Sequence, residues 1–174
     1  MLELAILGLL KDGPLHGYEL KQRLASFGFW RVSFGSLYPA LRRLERDEYI
    51  SVSKTQARRK IFELTAEGKH HFQQLLENEP AGQDEERLFR VKLAFFRYLE
   101  PDSRLGVLEQ RRAELTGHLA EARGRVRRGM ERTRERMDRY TFALMERGLH
   151  SVEAEIAWLD ELIESERGTP LEPN

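Results

Sequence analysis

Two groups of cations stand at spacings that suit recognition of a polyanion. Arg42, Arg43 and Arg46 fall among Leu37, Leu41 and Leu44, which recur at i, i+4, i+7. If that stretch is a helix, the leucines turn inward and the opposite face presents Ser36, Pro39, Arg42, Arg43 and Arg46, with Tyr38 on its flank. Guanidinium groups on such a face pair with phosphates, or with O6 and N7 of guanine where they reach a groove floor. Ser36 and Tyr38 belong to the N-terminal end, where free N–H groups and the helix dipole favour phosphate. A solvated face countered by Glu45, Asp47 and Glu48 is the alternative account of the arginines taken alone. The second group shifts the balance: Lys54, Arg58, Arg59 and Lys60 crowd one turn, an unfavourable arrangement of like charge until an anion arrives. Together the two groups point to nucleic acid. Tyr18, presented by the preceding helix, is counted with this surface.

Other chemistries find little to work with. The chain has no cysteine, which excludes a disulfide framework, a thiolate nucleophile and any metal site needing sulfur. His70 and His71 are adjacent, about 100° apart on a helix, and cannot share one metal as an i, i+4 pair would. His16 precedes Gly17 as a helix-start residue, and no Ser, His and Asp assemble a nucleophile, a base and an oxyanion site. No glycine-rich phosphate loop occurs. The reading is therefore not an enzyme, with no cofactor and no metal.

The elements that must hold the cations follow from periodicity. Leu2, Ala5, Ile6, Leu9 and Leu10 predict a first helix over about 2–11, ended by Asp12-Gly13-Pro14. A second helix starts near His16 or Gly17 and gives out at Gly28. Gly35-Ser36 opens a third, residues 36–47, with Pro39 expected in its first turn. From Tyr49 the period becomes two, Thr55-Gln56-Ala57 can turn, and alternation returns to Leu64, a basic hairpin over 49–64. Thr65 is the expected N-cap of a fourth helix reaching about Leu76. Three helices followed by a hairpin make a winged helix-turn-helix, whose third helix enters the major groove while the hairpin meets the flanking backbone.

The second half is helical throughout, so the fold class is mainly α with a small β-hairpin. Pro80-Ala81-Gly82 marks the expected boundary, dividing a DNA-binding domain (1–79) from a long-helix dimerization domain (83–166) and a disordered tail (167–174). Leu88, Val91, Phe95 and Tyr98 or Leu99 form a stripe stopped at Pro101. Leu105, Leu108, Leu115, Leu119, Ala122 and Val126 hold a seam with Arg112 in one slot. Phe142, Met145, Leu149, Val152, Ile156, Leu159 and Ile163 step by 3, 4, 3, 4, 3, 4, the a/d pattern of a coiled coil. That seam is the expected dimer contact, although an antiparallel pair of helices within one chain would leave the same stripe. Gly124, Gly129 and Gly148 are candidate breaks, with the region from Gly129 to Asp138 favoured. Eight arginines lie between Glu121 and Arg139. Interleaved acids set Arg127–Glu131, Arg134–Asp138 and Glu135–Arg139 at i, i+4, so a solvated face accounts for them better than a second nucleic-acid surface.

The total of 29 basic and 29 acidic residues hides a division. Residues 1–78 hold 12 Lys+Arg against 9 Asp+Glu, leaving 17 against 20 behind, so the basic excess lies with the hairpin. No apolar run approaches the roughly 20 residues of a membrane span, and the expectation is a soluble cytoplasmic protein.

HGYEL (His16 to Leu20), GSLYPALRRLE (Gly35 to Glu45) and FELTAEGK (Phe62 to Lys69), in this order, resemble the PadR family of bacterial transcriptional regulators. The long C-terminal helices, with AEIAWLDEL (Ala154 to Leu162), are similar to its longer subfamily with a helical dimerization domain. The resemblance implies a homodimeric repressor of an imperfect palindrome in double-stranded DNA, released by a small molecule. It places Ser36, Leu37, Tyr38, Pro39 and Arg42 on the recognition helix and Lys54 to Lys60 on the wing. The tip, Thr55 to Arg59, departs from the family in lacking a Gly or Pro before the basic residues. A small aromatic effector could stack on Phe95, Phe96 and Trp158, although core or interface packing is the better account of these aromatics. A protein-interaction module, its winged helix no longer binding DNA alone, is the competing class of function; the cationic hairpin argues against it.

Overall fold

The computed structural model describes residues 1–27, 32–56, 59–77, 85–132 and 138–168, without the side chains of 54–56, 59 and 128–132. Two compact units divide it, Met1–Leu99 and Glu100–Asn174.

The first unit is built around α1 (Leu2–Lys11), which is buried nearly all round: Leu4, Ala5, Ile6, Leu7, Leu9 and Leu10 form its core contribution. After Asp12 the chain makes a two-residue strand, β1 (Leu15–His16), and then α2 (Gly17–Ser26), α3 (Phe34–Arg46), β2 (Ile50–Gln56), β3 (Arg59–Leu64), α4 (Ala66–Glu77) and α5 (Glu85–Ala94). The short strand is absent from the sequence reading, because two residues are too few to show alternation. It pairs antiparallel with β3, Leu15 opposite Phe62 and His16 opposite Ile61, giving a three-stranded sheet in the order β1-β3-β2. The wing pairs Ile50 with Leu64 and Val52 with Phe62, then slips at Ser53 so that Lys54 meets Ile61. One extra residue on β2 is a bulge, which bends the strand toward the wing tip.

The corner between α3 and the wing is closely determined. Glu48 takes a left-handed φ of 62°, and Tyr49 N–H reaches back to the Leu44 carbonyl at 2.9 Å, closing the helix in a Schellman-type turn. Thr65 holds the other side. Its hydroxyl donates to the Glu48 carbonyl (2.7 Å) and accepts from Gly68 N–H (2.9 Å), the expected N-cap. Gly68 is required by close approach, since a Cβ there would lie 1.9 Å from the Tyr49 carbonyl oxygen.

Helix α3 begins earlier than expected. Ser33 is its N-cap, accepting from Ser36 N–H at 3.1 Å, so Phe34 rather than Ser36 opens the helix. Pro39 consequently lies inside it, beyond the first turn, and has no N–H to give the Gly35 carbonyl. Both residues are exposed, and water can take that acceptor.

The division between units also falls later than the expected 79/83. Phe89, Val91, Phe95, Phe96 and Leu99 are buried in the first unit. Phe95 explains why: its ring lies edge-on to Phe72 (5.8 Å) and Phe27 (5.7 Å), and a Cβ on Gly8 would stand 2.5 Å from it. A glycine on α1 thus leaves room for a phenylalanine beyond α5.

In the second unit, α6 (Pro101–Arg132) and α7 (Arg139–Gly168) run antiparallel. Ion pairs that descend one helix as they ascend the other fix the register: Arg104–Glu166 (3.0 Å), Arg111–Glu155 (3.2 Å) and Arg123–Glu153 (2.5 Å). Leu108, Leu115 and Leu119 are buried on α6, Leu159 and Ile163 on α7. Gly124 and Gly148 are helical; α6 ends at Arg132 and α7 starts at Arg139, and residues 133–137 of the favoured break lie outside the described residues. Asp138 caps α7 by accepting from the N–H groups of Tyr140 (2.8 Å) and Thr141 (3.1 Å), which with the Thr141 hydroxyl hold its carboxyl below the usual carboxylate range. Arg167 and Gly168, expected in the tail, are helical, and Arg167 reaches Glu109 at 2.6 Å. Residues 169–174 lie outside the described residues.

Candidate nucleic-acid interface

Helix α3 presents three sides. Leu37, Ala40, Leu41 and Leu44 are buried. At about 100° per residue the direction opposite to them belongs to Gly35, Pro39, Arg42 and Arg46, all exposed. The flanks differ from each other. Phe34, Tyr38 and Glu45 face α2 and β3, while Ser36 and Arg43 turn the other way.

The expected arginines therefore separate into three situations. Arg42 is exposed and has no acidic partner among the described residues. Arg46 shares its guanidinium with the neighbouring Asp47 at 2.9 Å, and that hydrogen bond raises its already high pKa. Arg43 is drawn to Glu3 on α1 at 3.5 Å. Glu3 also takes His71 Nε2 at 2.7 Å, and the His71 ring stacks on Tyr49 at 4.1 Å. Arg43, Glu3, His71 and Tyr49 thus tie together α1, α3, α4 and the corner before the wing. Glu3 carried no signal in the sequence, because its partners lie 40 and 68 residues away.

Leu37, placed on the interface by resemblance, is wholly buried and is a core residue. Ser36 donates its hydroxyl to the Ser33 carbonyl at 3.0 Å and its N–H to the cap, so part of its hydrogen-bonding capacity is already used.

Lys60 turns back from the wing onto the helix. Its ammonium sits 3.1 and 3.2 Å from the two carboxylate oxygens of Glu45, bridging β3 to α3. Beside that bridge an open cleft of about 510 Å³ is lined by His16, Tyr18, Tyr38, Arg42 and Phe62 among others. Tyr18, Phe34 and Tyr38 are exposed, with stacked ring centroids 6.5 and 5.8 Å apart, and Lys21 Nζ lies 3.9 Å over Phe34. Gly17 leaves room for this packing, since a Cβ there would meet the Tyr38 hydroxyl at 3.2 Å. Phe34 and Lys21 were missed in the sequence because helix α3 was read as starting two residues too late. Arg58 lies outside the described residues, as do the side chains of Lys54 and Arg59.

Phe95 and Phe96 are buried in the first unit, and Trp158 is exposed on α7 in the second. Phe95 is a core residue by its packing against Phe72 and Phe27, the core account that the sequence favours over a pocket wall. Of the seven residues expected at the dimer seam, Leu159 and Ile163 are buried within the chain, while Phe142 and Met145 are exposed. Val152 and Ile156 are partly buried, like Leu149. The a/d stripe is thus used at least in part by α6 of the same chain. Among the described residues no cluster of three metal-ligating side chains occurs, and no helix is long and apolar enough to cross a membrane.

Helices α1 to α3 with the β2–β3 wing form a winged helix-turn-helix, and the solvent-facing side of α3 is cationic. Residues 6–74 match the transcriptional regulator PadR-like family, and residues 87–165 match the virulence activator alpha C-term family. The winged-helix part of the chain is thus similar to the PadR-like family of transcriptional regulators.

Among curated proteins it is similar to the negative transcriptional regulator PadR of Bacillus subtilis (strain 168), 30% identical over 104 residues, covering 55% of this chain and 56% of that protein. It is also 36% identical over 77 residues to an uncharacterized 37.1 kDa protein in transposon TN4556 of Streptomyces fradiae, covering 44% of this chain and 21% of that one. The chain spans little more than half of the first relative and about a fifth of the second. Similar solved structures include Bacillus subtilis PadR in complex with operator DNA, 21% identical with a TM-score of 0.42, covering 95% of this chain and 98% of that one. The same protein in complex with p-coumaric acid gives the same values. The PadR-like transcriptional regulator BC1756 from Bacillus cereus is 23% identical with a TM-score of 0.40, covering 96% and 98%.

Proposed function

We propose that this protein is a PadR-like transcriptional regulator, a homodimeric repressor that reads an imperfect palindrome in double-stranded DNA, with α3 in the major groove and the β2–β3 wing on the flanking backbone. The observation that carries the reading is the outward face of α3, where Arg42 stands exposed, without an acidic partner among the described residues, on a helix whose other side is wholly apolar. Repression enters through the curated relative, whose name is that of a negative regulator. Dimerization is supported by α7, which exposes Tyr140, Phe142, Leu144, Met145 and Trp158, a concentration of apolar side chains of the kind that marks an interaction surface. Release by a small aromatic molecule belongs to the same proposal on family resemblance.

The test is a titration of labelled duplex from the gene's own upstream region against a scrambled duplex of equal composition, at two salt concentrations. Tighter, salt-sensitive binding to the upstream duplex supports the reading. Equal, weak binding of both overturns DNA recognition by the chain alone and brings the interaction module forward. Adding p-coumaric acid to the same titration tests release: dissociation supports an aromatic effector, and an unchanged curve removes that acid from the candidates.

A further inference from the structure

Three aromatic rings stand together at the cleft beside α3, and one of them carries no polar atom. Tyr18 on α2 is 55% exposed, Phe34 40% and Tyr38 44%. The two tyrosines suit a wet surface, since a phenol packs its ring and gives its hydroxyl to water or to phosphate. Phe34 has only a ring to offer. It is the first residue of α3, directly after the Ser33 cap, and its centroid lies 6.5 Å from that of Tyr18 and 5.8 Å from that of Tyr38. A contiguous group of exposed rings is a feature that interaction accounts for better than solvation does.

The row to which Phe34 belongs runs along the helix into its cationic face. Phe34, Tyr38, Arg42 and Arg46 follow at intervals of four, each about 40° round and about 6 Å along the axis from the last. Phe34, Tyr38 and Arg42 also line the same open cleft of about 510 Å³. Lys21 reaches the row from α2, its ammonium 3.9 Å over the Phe34 ring and without an acidic partner among the described residues. A cation held on the ring keeps positive charge beside an apolar contact, the combination that suits a base edge flanked by phosphate. In a helix-turn-helix the N-terminal residues of the recognition helix are those that meet base edges, and Phe34 is the first of them.

The major groove offers such a ring one methyl group. The other recognition atoms there are hydrogen-bond donors or acceptors, and the C5 methyl of thymine is the exception. We propose that Phe34 is a specificity-determining residue that reads thymine, its ring packed on the C5 methyl of one thymine in each half-site. The inference rests on the DNA reading above and adds to it a contact made by shape rather than by hydrogen bonding. Arg42, two steps along the row, reads a different position, so the two contributions are separable.

Deoxyuridine lacks only that methyl and keeps the same pairing with adenine, so the contact can be removed without changing the sequence. In the upstream duplex that the protein selects over its scrambled counterpart, thymines are replaced by deoxyuridine one at a time and the dissociation constant is followed by anisotropy. One thymine in each half-site should answer with binding about four-fold weaker, the effect of one buried methyl group. Phe34→Ala, at a side chain partly in water, should keep its circular dichroism, bind the thymine duplex more weakly by at least about that factor, and bind the thymine and deoxyuridine duplexes alike. Phe34→Leu keeps an apolar side chain and should keep a response. Arg42→Ala should weaken both duplexes together and leave their ratio at about four. A wild-type protein that selects the upstream duplex yet ignores every deoxyuridine overturns the thymine contact and leaves DNA recognition standing. An F34A variant that still answers the same substitution overturns it too, since the methyl is then read elsewhere and the ring only packs against its neighbours. Equal, weak binding of the upstream and scrambled duplexes overturns the DNA reading and the thymine contact together.

Discussion

At the scale of single residues, neighbouring arginines of one helix are set to different tasks by what lies across from them. Arg42 points away from the core and has no acidic partner among the described residues, whereas Arg43, one residue on, is turned through about 100° toward Glu3 at 3.5 Å. An arginine already engaged by a carboxylate gains less from a phosphate, because the first partner must be given up. Arg42→Ala should therefore weaken duplex binding by about 1 to 3 kcal/mol if the side chain reaches a base edge, with relaxed preference at one base position. Arg43→Ala should cost clearly less. Anisotropy titrations of both variants check this, and a larger loss for R43A would reverse the assignment. The sequence alone could place both arginines on the polar half of a helix. It could not separate them, since the distinction depends on a residue 40 positions earlier in the chain.

At the scale of elements, two bridges tie together segments that lie far apart in the chain. Lys60 on β3 holds Glu45 on α3, so one wing cation expected on phosphate is occupied with fixing the wing to the helix. Glu45→Gln removes the negative charge from the cleft and frees that ammonium. The dependence of log K on log salt should steepen by about 0.9, one added phosphate contact, and an unchanged slope would keep Lys60 on the helix. The second bridge joins the end of α1 to the short turn Phe96–Tyr98. Burial pushes the Asp12 carboxyl up, but hydrogen bonds from Tyr98 and from Arg97 (2.6 Å) outweigh it and hold Asp12 below its ordinary value of 3.8. A carboxyl lowered by folding stabilises the fold above its unfolded pKa, and that stability is lost as pH falls from about 3.8 through the folded value. Thermal unfolding followed from pH 5 to pH 3 should show a fall that is shallower in Asp12→Asn. These elements were unequally legible. The leucines of α3, the Thr65 cap and the a/d stripe announce themselves by local spacing. The strand at Leu15, the Ser33 cap and the attachment of α5 through Phe95 do not, because each exists only once distant segments are brought together.

At the scale of the whole molecule, the proposed dimer adds what neither unit supplies alone, a fixed relation between two reading heads. Two recognition helices related by a two-fold axis match half-sites whose centres lie about one helical turn apart, 10 to 10.5 base pairs. Inserting about 5 base pairs between the half-sites turns the second one to the opposite side of the duplex. Binding should then fall to that of a single head, a loss of about 100-fold or more as the second contact is forfeited, while insertion of a full turn should be tolerated better. A Leu144→Asp variant, which puts a charge on the exposed apolar side of α7 proposed for dimerization, separates this from a change in the DNA. As a monomer it should bind the original and the interrupted site equally, both weakly, because it has no second head to misplace. A wild-type protein indifferent to the insertion would mean that each unit finds its half-site independently, and the palindrome would then carry no geometric information for this protein.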